Sequence, residues 1–386
     1  MWEKHLQKLA REHLLREISV LDSPSGPLMS LNGQNILQFA SNDYLGLANH
    51  ANLKHAACKA IEKFGVGAGA SRLISGTLAP HHNLELAIAQ FTNTEAALTY
   101  SSGYTTNLGV IPQLVKTGGL ILADRLCHAS LIDACRLSQA TLRVYRHNDM
   151  EHLHSLLTKR PINRPTLLIT EGVFSMDGDL ASLPQLVKLA EEFEAFLLVD
   201  DAHGTGVMGP TGRGSLEYWE VESANIIHMG TLGKALGTSG GFMTGTQDFI
   251  AYLINTSRPF IYSTAPPPAI AAAAQEAIRL IQQEPERRAR LWQNREHMYQ
   301  GLKAMGCHMT KTQSPILPII VNDPRLAVEM SLGLQKKGVY IPGIRPPTVP
   351  KGTSRLRITV SAEHSIKQID AALSAIQQVG QSLKIL

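Results

Sequence analysis

Five short apolar runs in the middle of the chain set the limits on its fold. AALTYSS (96–102), GLILAD (119–124), TLLITEG (166–172), FLLVDDA (196–202) and NIIHMG (225–230) have the length and composition of strands buried on both faces. Segments of helical period separate them. In LPQLVKLAEEFEA (183–195), Leu186, Leu189, Ala190 and Phe193 fall on one face. Strands alternating with helices of this length imply βαβ units and a mostly parallel sheet covered on both sides, an α/β class. Ligands of such sheets bind beyond the carboxyl ends of the strands. The residues that follow the apolar runs are therefore the candidates: Ser102-Gly103-Tyr104, Asp124, Glu171, Asp200 with His203, and Thr231 with Lys234.

The pattern changes after STAPPPAIAAAAQEAIRLIQ (263–282), a proline-started helix rich in alanine. A long polar-faced helix follows. PILPIIV (315–321) and SRLRITV (354–360) are then strand candidates on either side of a helical LAVEMSLGLQKKG. At the N-terminus, Trp2, Leu6, Leu9, His13 and Leu14 recur at the spacing of an amphipathic helix. These changes divide the 386 residues into an N-terminal arm (1–45), a large domain (46–282) and a smaller C-terminal α/β domain (283–386).

Several function classes are disfavoured. The formal charge is only +4, without a Lys/Arg block, so nucleic acid is a poor partner. The N-terminal segment carries charges throughout and no later run is long enough to span a bilayer, which points to a soluble, cytoplasmic protein. The four cysteines lack CxxC spacing and read as reduced thiols, and the fifteen histidines form no HExxH or Cys/His ladder, so no metal site is expected. GTGVMG (204–209) matches a dinucleotide fingerprint literally, but DDAH precedes it and Pro210 follows, so no strand–turn–helix can hold a pyrophosphate. GVGAGA (65–70) lacks the strand. GTLGKA (230–235) is not a phosphate-binding loop of the nucleoside-triphosphate type, since alanine follows the lysine.

Lys234 lies in HMGTLGKALGTSGG, among glycines and hydroxyls, where the backbone is free to approach a ligand. A free lysine, with a pKa of about 10.4, is a poor nucleophile at neutral pH, but as an imine with an aldehyde it exchanges readily with a substrate amine. Asp200 ends an apolar strand, where a carboxylate is costly to bury without a cation or a protonated heteroaromatic nitrogen. An aspartate and a lysine placed in this way are the pair that pyridoxal phosphate requires. Ser102-Gly103-Tyr104 and Thr231 offer hydroxyls and N–H groups to its phosphate, and His128 in ADRLCHASL offers a ring to stack.

SNDYLGL (41–47), DRLCHASLIDA (124–134), TEGVFSMDGD (170–179), VDDAHGTGVMGPTGRG (199–214), GTLGKALGTSGG (230–241) and IYSTAPPP (261–268) resemble the α-oxoamine synthases. The resemblance runs from the N-terminal arm through the C-terminal domain. It implies a pyridoxal 5'-phosphate enzyme of the aspartate-aminotransferase fold (fold type I), a homodimer with shared active sites, and an acyltransferase that joins an amino acid to an acyl thioester. Lys234 is then the lysine that binds the cofactor, Asp200 the partner of its ring nitrogen, and His128 the stacking ring. His203, with Ser175, faces the phenolic oxygen. Gly103, Tyr104 and Thr231 serve the phosphate, as do Ser263 and Thr264 toward the partner subunit. Arg345 with Thr348 is implied for the amino-acid carboxylate, Asn42 for substrate, and Arg16 for the acyl chain, although a solvated helix charge is nearly as good a reading of Arg16. The tail IRPPTVPKGTSRLRITVSAEH (344–364) most resembles the branch that joins L-alanine to a pimeloyl thioester in biotin biosynthesis. Siblings use glycine or serine. The carrier, coenzyme A or acyl carrier protein, stays open.

Overall fold

The computed structural model describes residues 2–16 and 18–386. They form two compact units, one of residues 50–174 and 180–285, the other of 1–49, 175–179 and 286–386. Among the described residues no helix is long and apolar enough to cross a membrane.

The second of these units holds two small sheets. In one, β1 (Leu28–Leu31) and β2 (Gln34–Gln38) form a hairpin. The other unit is built on seven strands: β3 (Ala96–Tyr100), β4 (Leu120–Asp124), β5 (Thr141–Tyr145), β6 (Thr166–Glu171), β7 (Phe196–Asp200), β8 (Ile226–Thr231) and β9 (Gly241–Gly245). The remaining strands belong to the unit that holds the small sheets: β10 (Ile316–Asn322), β11 (Val339–Tyr340), β12 (Gly343–Ile344) and β13 (Ser354–Thr359). There β11 joins β2 in parallel, and β13 pairs antiparallel with both β10 and β12.

The seven-stranded sheet has the order β3-β9-β8-β7-β6-β4-β5, with β9 alone running against the other six. Alternate residues of its central strands enter separate cores. Ile121, Ala123, Leu167, Ile169 and Leu198 pack on one side, and Leu120, Leu122, Leu168, Leu197 and Val199 on the other. Burial on both faces explains why these strands read as continuous apolar runs. The helix Leu183–Glu192 covers the second side with Leu183, Leu186, Val187, Leu189 and Ala190. GTGVMG folds as a succession of turns with Gly206 and Gly209 at positive φ, and GVGAGA lies in irregular backbone.

Candidate active site

The carboxyl ends of β3, β4, β7 and β8 deliver the candidate residues of the sheet unit. After β3, Ser102 caps the helix Gly103–Leu114, its hydroxyl accepting from the Thr105 N–H at 3.0 Å. A helix N-terminus presents unpaired N–H groups and a positive dipole end, a setting for an anion. The first position is tight: a Cβ on Gly103 would meet Met229 Cε at 3.0 Å and Thr231 Oγ1 at 3.5 Å. A Cβ on Gly241 of β9 would in turn come within 2.7 Å of the Gly103 nitrogen. These two glycines let the helix end sit directly against β8 and β9. Tyr104, 41% exposed, donates its hydroxyl to Asp133 and meets the His128 ring edge-on at 6.3 Å.

β4 ends at Asp124, whose buried carboxylate accepts the Leu126 and Asn148 N–H groups and pairs with His147, fixing the turn that leads to His128. His128 caps the helix Ala129–Leu137. Its Nδ1 accepts from the Ser130 N–H and lies 2.8 Å from Ser130 Oγ, so the proton of the neutral ring sits on Nε2. Its own N–H donates to Glu171 Oε1 at 2.7 Å. Burial pushes the His128 pKa down, and the charge of Lys234 pushes the same way against the carboxylates of Asp200 and Asp133. Near neutral pH the ring is an uncharged flat surface.

Asp200, at the end of β7, is 5% exposed. Its Oδ2 accepts from Asn107 Nδ2 at 2.9 Å and its Oδ1 from the Ala202 N–H at 3.1 Å, while no cation among the described residues forms an ion pair with it. A buried carboxylate held by two neutral donors suits a protonated ring nitrogen, which supplies the missing positive partner. Asn107 Nδ2 also donates to Ser130 Oγ at 3.0 Å. Thus His128, Ser130, Asn107 and Asp200 form one hydrogen-bonded chain. Neither Asn107 nor Ser130 stood out in the sequence, since both lie inside ordinary helical patterns.

β8 ends at Thr231, whose hydroxyl donates to the Gly240 carbonyl and is 3.4 Å from the Gly233 N–H. The turn that follows places Lys234 Nζ 2.8 Å from His203 Nε2, within hydrogen-bond distance. Ser263 and Thr264 are exposed, and Thr264 bridges to Ser71.

The other unit carries the remaining candidates. Arg345 donates to the backbone carbonyls of His13 and Leu15, and Arg16 to the Pro346 carbonyl and Thr348 Oγ1, at 3.4 and 3.3 Å. The N-terminal arm and the IRPPTVP segment therefore bring Arg16, Arg345 and Thr348 together. Burial lowers the Arg345 pKa and the Arg16 charge adds to the effect, as expected for two neighbouring cations. Asn42 lies apart from these. Its Oδ1 accepts from both Nη atoms of the buried Arg357 at 3.2 Å, and Arg357 Nε donates to the Ser175 carbonyl at 2.7 Å. Arg357, in the middle of β13, was not singled out as a candidate, because an arginine within a strand pattern carries no signal of its own.

A family model described as "Aminotransferase class I and II" matches residues 34–376. An 8-amino-7-oxononanoate synthase of Thermoanaerobacter pseudethanolicus is 44% identical over 385 residues, covering 100% of this chain and 98% of the relative. 8-Amino-7-oxononanoate synthase 1 of Bacillus subtilis is 41% identical over 381 residues, at 99% and 97% coverage. Among solved structures, a lysine-to-alanine variant of a serine palmitoyltransferase from S. paucimobilis with a bound PLP–myriocin aldimine superimposes with a TM-score of 0.96 at 33% identity and covers 100% of this chain and 98% of its own. An 8-amino-7-oxononanoate synthase of Francisella tularensis gives a TM-score of 0.78 at 32% identity, with 91% and 99% coverage.

The mostly parallel seven-stranded sheet is that of a fold type I transferase. The chain belongs to the class I and II aminotransferase family, in its α-oxoamine synthase branch.

Proposed function

We propose that the chain condenses L-alanine with a pimeloyl thioester, giving 8-amino-7-oxononanoate, carbon dioxide and free thiol in biotin biosynthesis, with pyridoxal 5'-phosphate as cofactor. The observation that carries the reading is the pairing of Lys234 with His203, together with a buried Asp200 with which no cation among the described residues forms an ion pair. The two full-length synthases at 44% and 41% identity supply the substrates.

When bound, pyridoxal phosphate supplies an aldehyde that condenses with amines and a protonated ring that takes up the electron pair left on the substrate α-carbon. Lys234 would hold it through its amine, and the same amine, when free, would take the substrate α-proton and return a proton to product carbon. Asp200 would face the ring nitrogen, its carboxylate held and aimed by Asn107 and the Ala202 N–H. His128 stacks as a neutral ring whose Nε2–H can polarise the thioester carbonyl. His203 and Ser175 serve the phenolic oxygen. The helix end at Gly103 and Tyr104, with Thr231, takes the phosphate, joined by Ser263 and Thr264 of a partner subunit in a homodimer. Arg345 with Thr348 grips the alanine carboxylate in bidentate fashion, Asn42 contacts substrate and Arg16 faces the distal carboxylate of the acyl chain. The enzyme works in the cytoplasm. In this reading an arm of 1–45 and a small domain of 283–386 carry Arg16, Asn42, Arg345 and Thr348, and a cofactor domain of 46–282 carries the other roles.

A sibling reading has one observation in its favour, the TM-score of 0.96 to a serine palmitoyltransferase. Turnover with L-alanine, glycine and L-serine, each offered with a pimeloyl and a palmitoyl thioester, decides between them. The proposal requires L-alanine and the pimeloyl thioester to give the highest kcat/KM. Preference for L-serine and the long chain overturns it.

A further inference from the structure

Beside Asp200 lies a second carboxylate that the chemistry above does not use. Asp201 is fully buried, and its oxygens lie in a shell of three glycines. A Cβ on Gly172 would come within 2.3 Å of Oδ1, one on Gly204 within 2.1 Å of Oδ1, and one on Gly214 within 1.8 Å of Oδ2. No other residue type fits at these positions without moving the carboxylate, and Gly214 also sits at φ +119. Oδ2 accepts the Ser215 N–H at 2.7 Å. The Asp201 carbonyl accepts from the N–H groups of Gly204 and Thr205 and from the Thr205 hydroxyl, at 3.0, 2.9 and 2.9 Å. Its own N–H donates to the Met229 carbonyl of β8 at 2.8 Å. The segment from Ala202 to Ser215 therefore folds around this single residue, and His203 rides on its first turn.

The surroundings are not those of a simple structural ion pair. His228 Nε2 is 3.6 Å from Asp201 Oδ2, beyond hydrogen-bond reach. Among the described residues, Asp201 Oδ1, Ser215 Oγ and His228 Nε2 are buried without a hydrogen-bond partner. A buried carboxylate so thinly paired is costly, and such costs persist where the geometry they impose is used.

Resting on the cofactor reading above, we infer that Asp201 is a positioning residue: its carboxylate, seated in the glycine shell and tied to the Ser215 N–H, fixes the turn that holds His203 against Lys234. Asp200 points to the Asn107 side of β7 and Asp201 to the Ser215 side, so one adjacent pair of aspartates serves the ring nitrogen and the loop separately.

The test is an absorbance titration of apoprotein with pyridoxal phosphate, run beside thermal melts, for wild type, Asp201→Ala, Asp201→Asn and Ser215→Ala. Asparagine keeps an acceptor for the Ser215 N–H and fits the shell; alanine does neither. The expected result is about tenfold weaker cofactor binding in Asp201→Ala, recovery to within about threefold of wild type in Asp201→Asn, and no change in Ser215→Ala, which loses only the unpaired Oγ. If Asp201→Ala does not fold, Asp201→Ser takes its place, its hydroxyl being too short to reach the Ser215 N–H. Cofactor binding unchanged in the Ala or Ser variant, or equally weakened in Asn and Ala, overturns the inference. A wild-type chain that develops no visible band contradicts the cofactor reading itself and is thereby told apart.

Discussion

Replacement of Asn107 by alanine tests the hydrogen-bonded chain beneath the proposed cofactor. Asn107 is fully buried, and its Nδ2 serves both Asp200 Oδ2 and Ser130 Oγ. The bond to Ser130 is the lesser loss, because Ser130 Oγ retains His128 Nδ1 at 2.8 Å. The bond to Asp200 is charge-assisted and buried, and its removal leaves the carboxylate with the Ala202 N–H alone. Loss of a buried hydrogen bond to a charged group costs about 2 kcal/mol, which is about 30-fold in an equilibrium or rate. An Asp200 held by one donor instead of two is aimed less firmly at the ring nitrogen, so the loss should appear in the steps that develop charge. The assay is steady-state turnover of L-alanine and a pimeloyl thioester, with the cofactor dissociation constant measured on the same preparations. We expect kcat/KM to fall by about 30-fold in Asn107→Ala, and by more in Asn107→Asp, where a second carboxylate faces the first. Wild-type kcat/KM and cofactor affinity in Asn107→Ala would refute the argument, because Asp200 would then owe its state to other groups.

Lys234→Ala should abolish the visible absorbance of the lysine-bound cofactor and lower turnover by at least about three orders of magnitude, as removal of a residue that is both attachment point and base requires. Arg345→Ala should raise KM for L-alanine by about tenfold or more with a smaller effect on the pimeloyl thioester, measured by varying each substrate in turn; equal effects on both would remove Arg345 from the amino-acid carboxylate. Acid should destabilise the fold through His364, which stacks on Phe39, accepts the Ser361 N–H and donates to the Gln38 carbonyl, and whose pKa burial pushes down to about 4. Below about pH 6.5 the unfolded chain takes up a proton that the folded ring refuses, so stability falls as pH drops from about 6.5 to about 4, by at most about 3 kcal/mol from this group. Burial lowers the His81 and His128 pKa values as well, and both add in the same direction. Urea midpoints measured across that window should show a shallower slope in His364→Gln; an unchanged slope would rule His364 out as its source.

The sheet was legible because its central strands are buried on both faces and cannot help being apolar. The strands that escaped notice lack that signature. β5 is an edge strand with Thr141, Arg143 and Val144 exposed, and β9 begins and ends in glycine, Gly241 admitting the helix end at Gly103 and Gly245 the Phe249 ring. The rule that ligands lie beyond the strand ends singled out Asp200, His203, Thr231 and Lys234 as candidates, each at or just after an apolar run. It could not find Asn107, one turn into a helix and remarkable in sequence only as an asparagine, nor Arg357, which sits in mid-strand. Asp201 was visible as the second letter of DDAH, but its glycine shell is drawn from positions 172, 204 and 214, and only the fold assembles it.

The central claim is the reaction itself. Purified protein supplied with pyridoxal phosphate, L-alanine and pimeloyl-coenzyme A or the pimeloyl-acyl carrier protein should release carbon dioxide and free thiol in equal amounts and yield 8-amino-7-oxononanoate by mass spectrometry. With one of the two carriers that product must form, and Lys234→Ala must not form it. Failure with both carriers, while glycine or L-serine is converted with another acyl thioester, would contradict the assignment and place the chain with a sibling synthase.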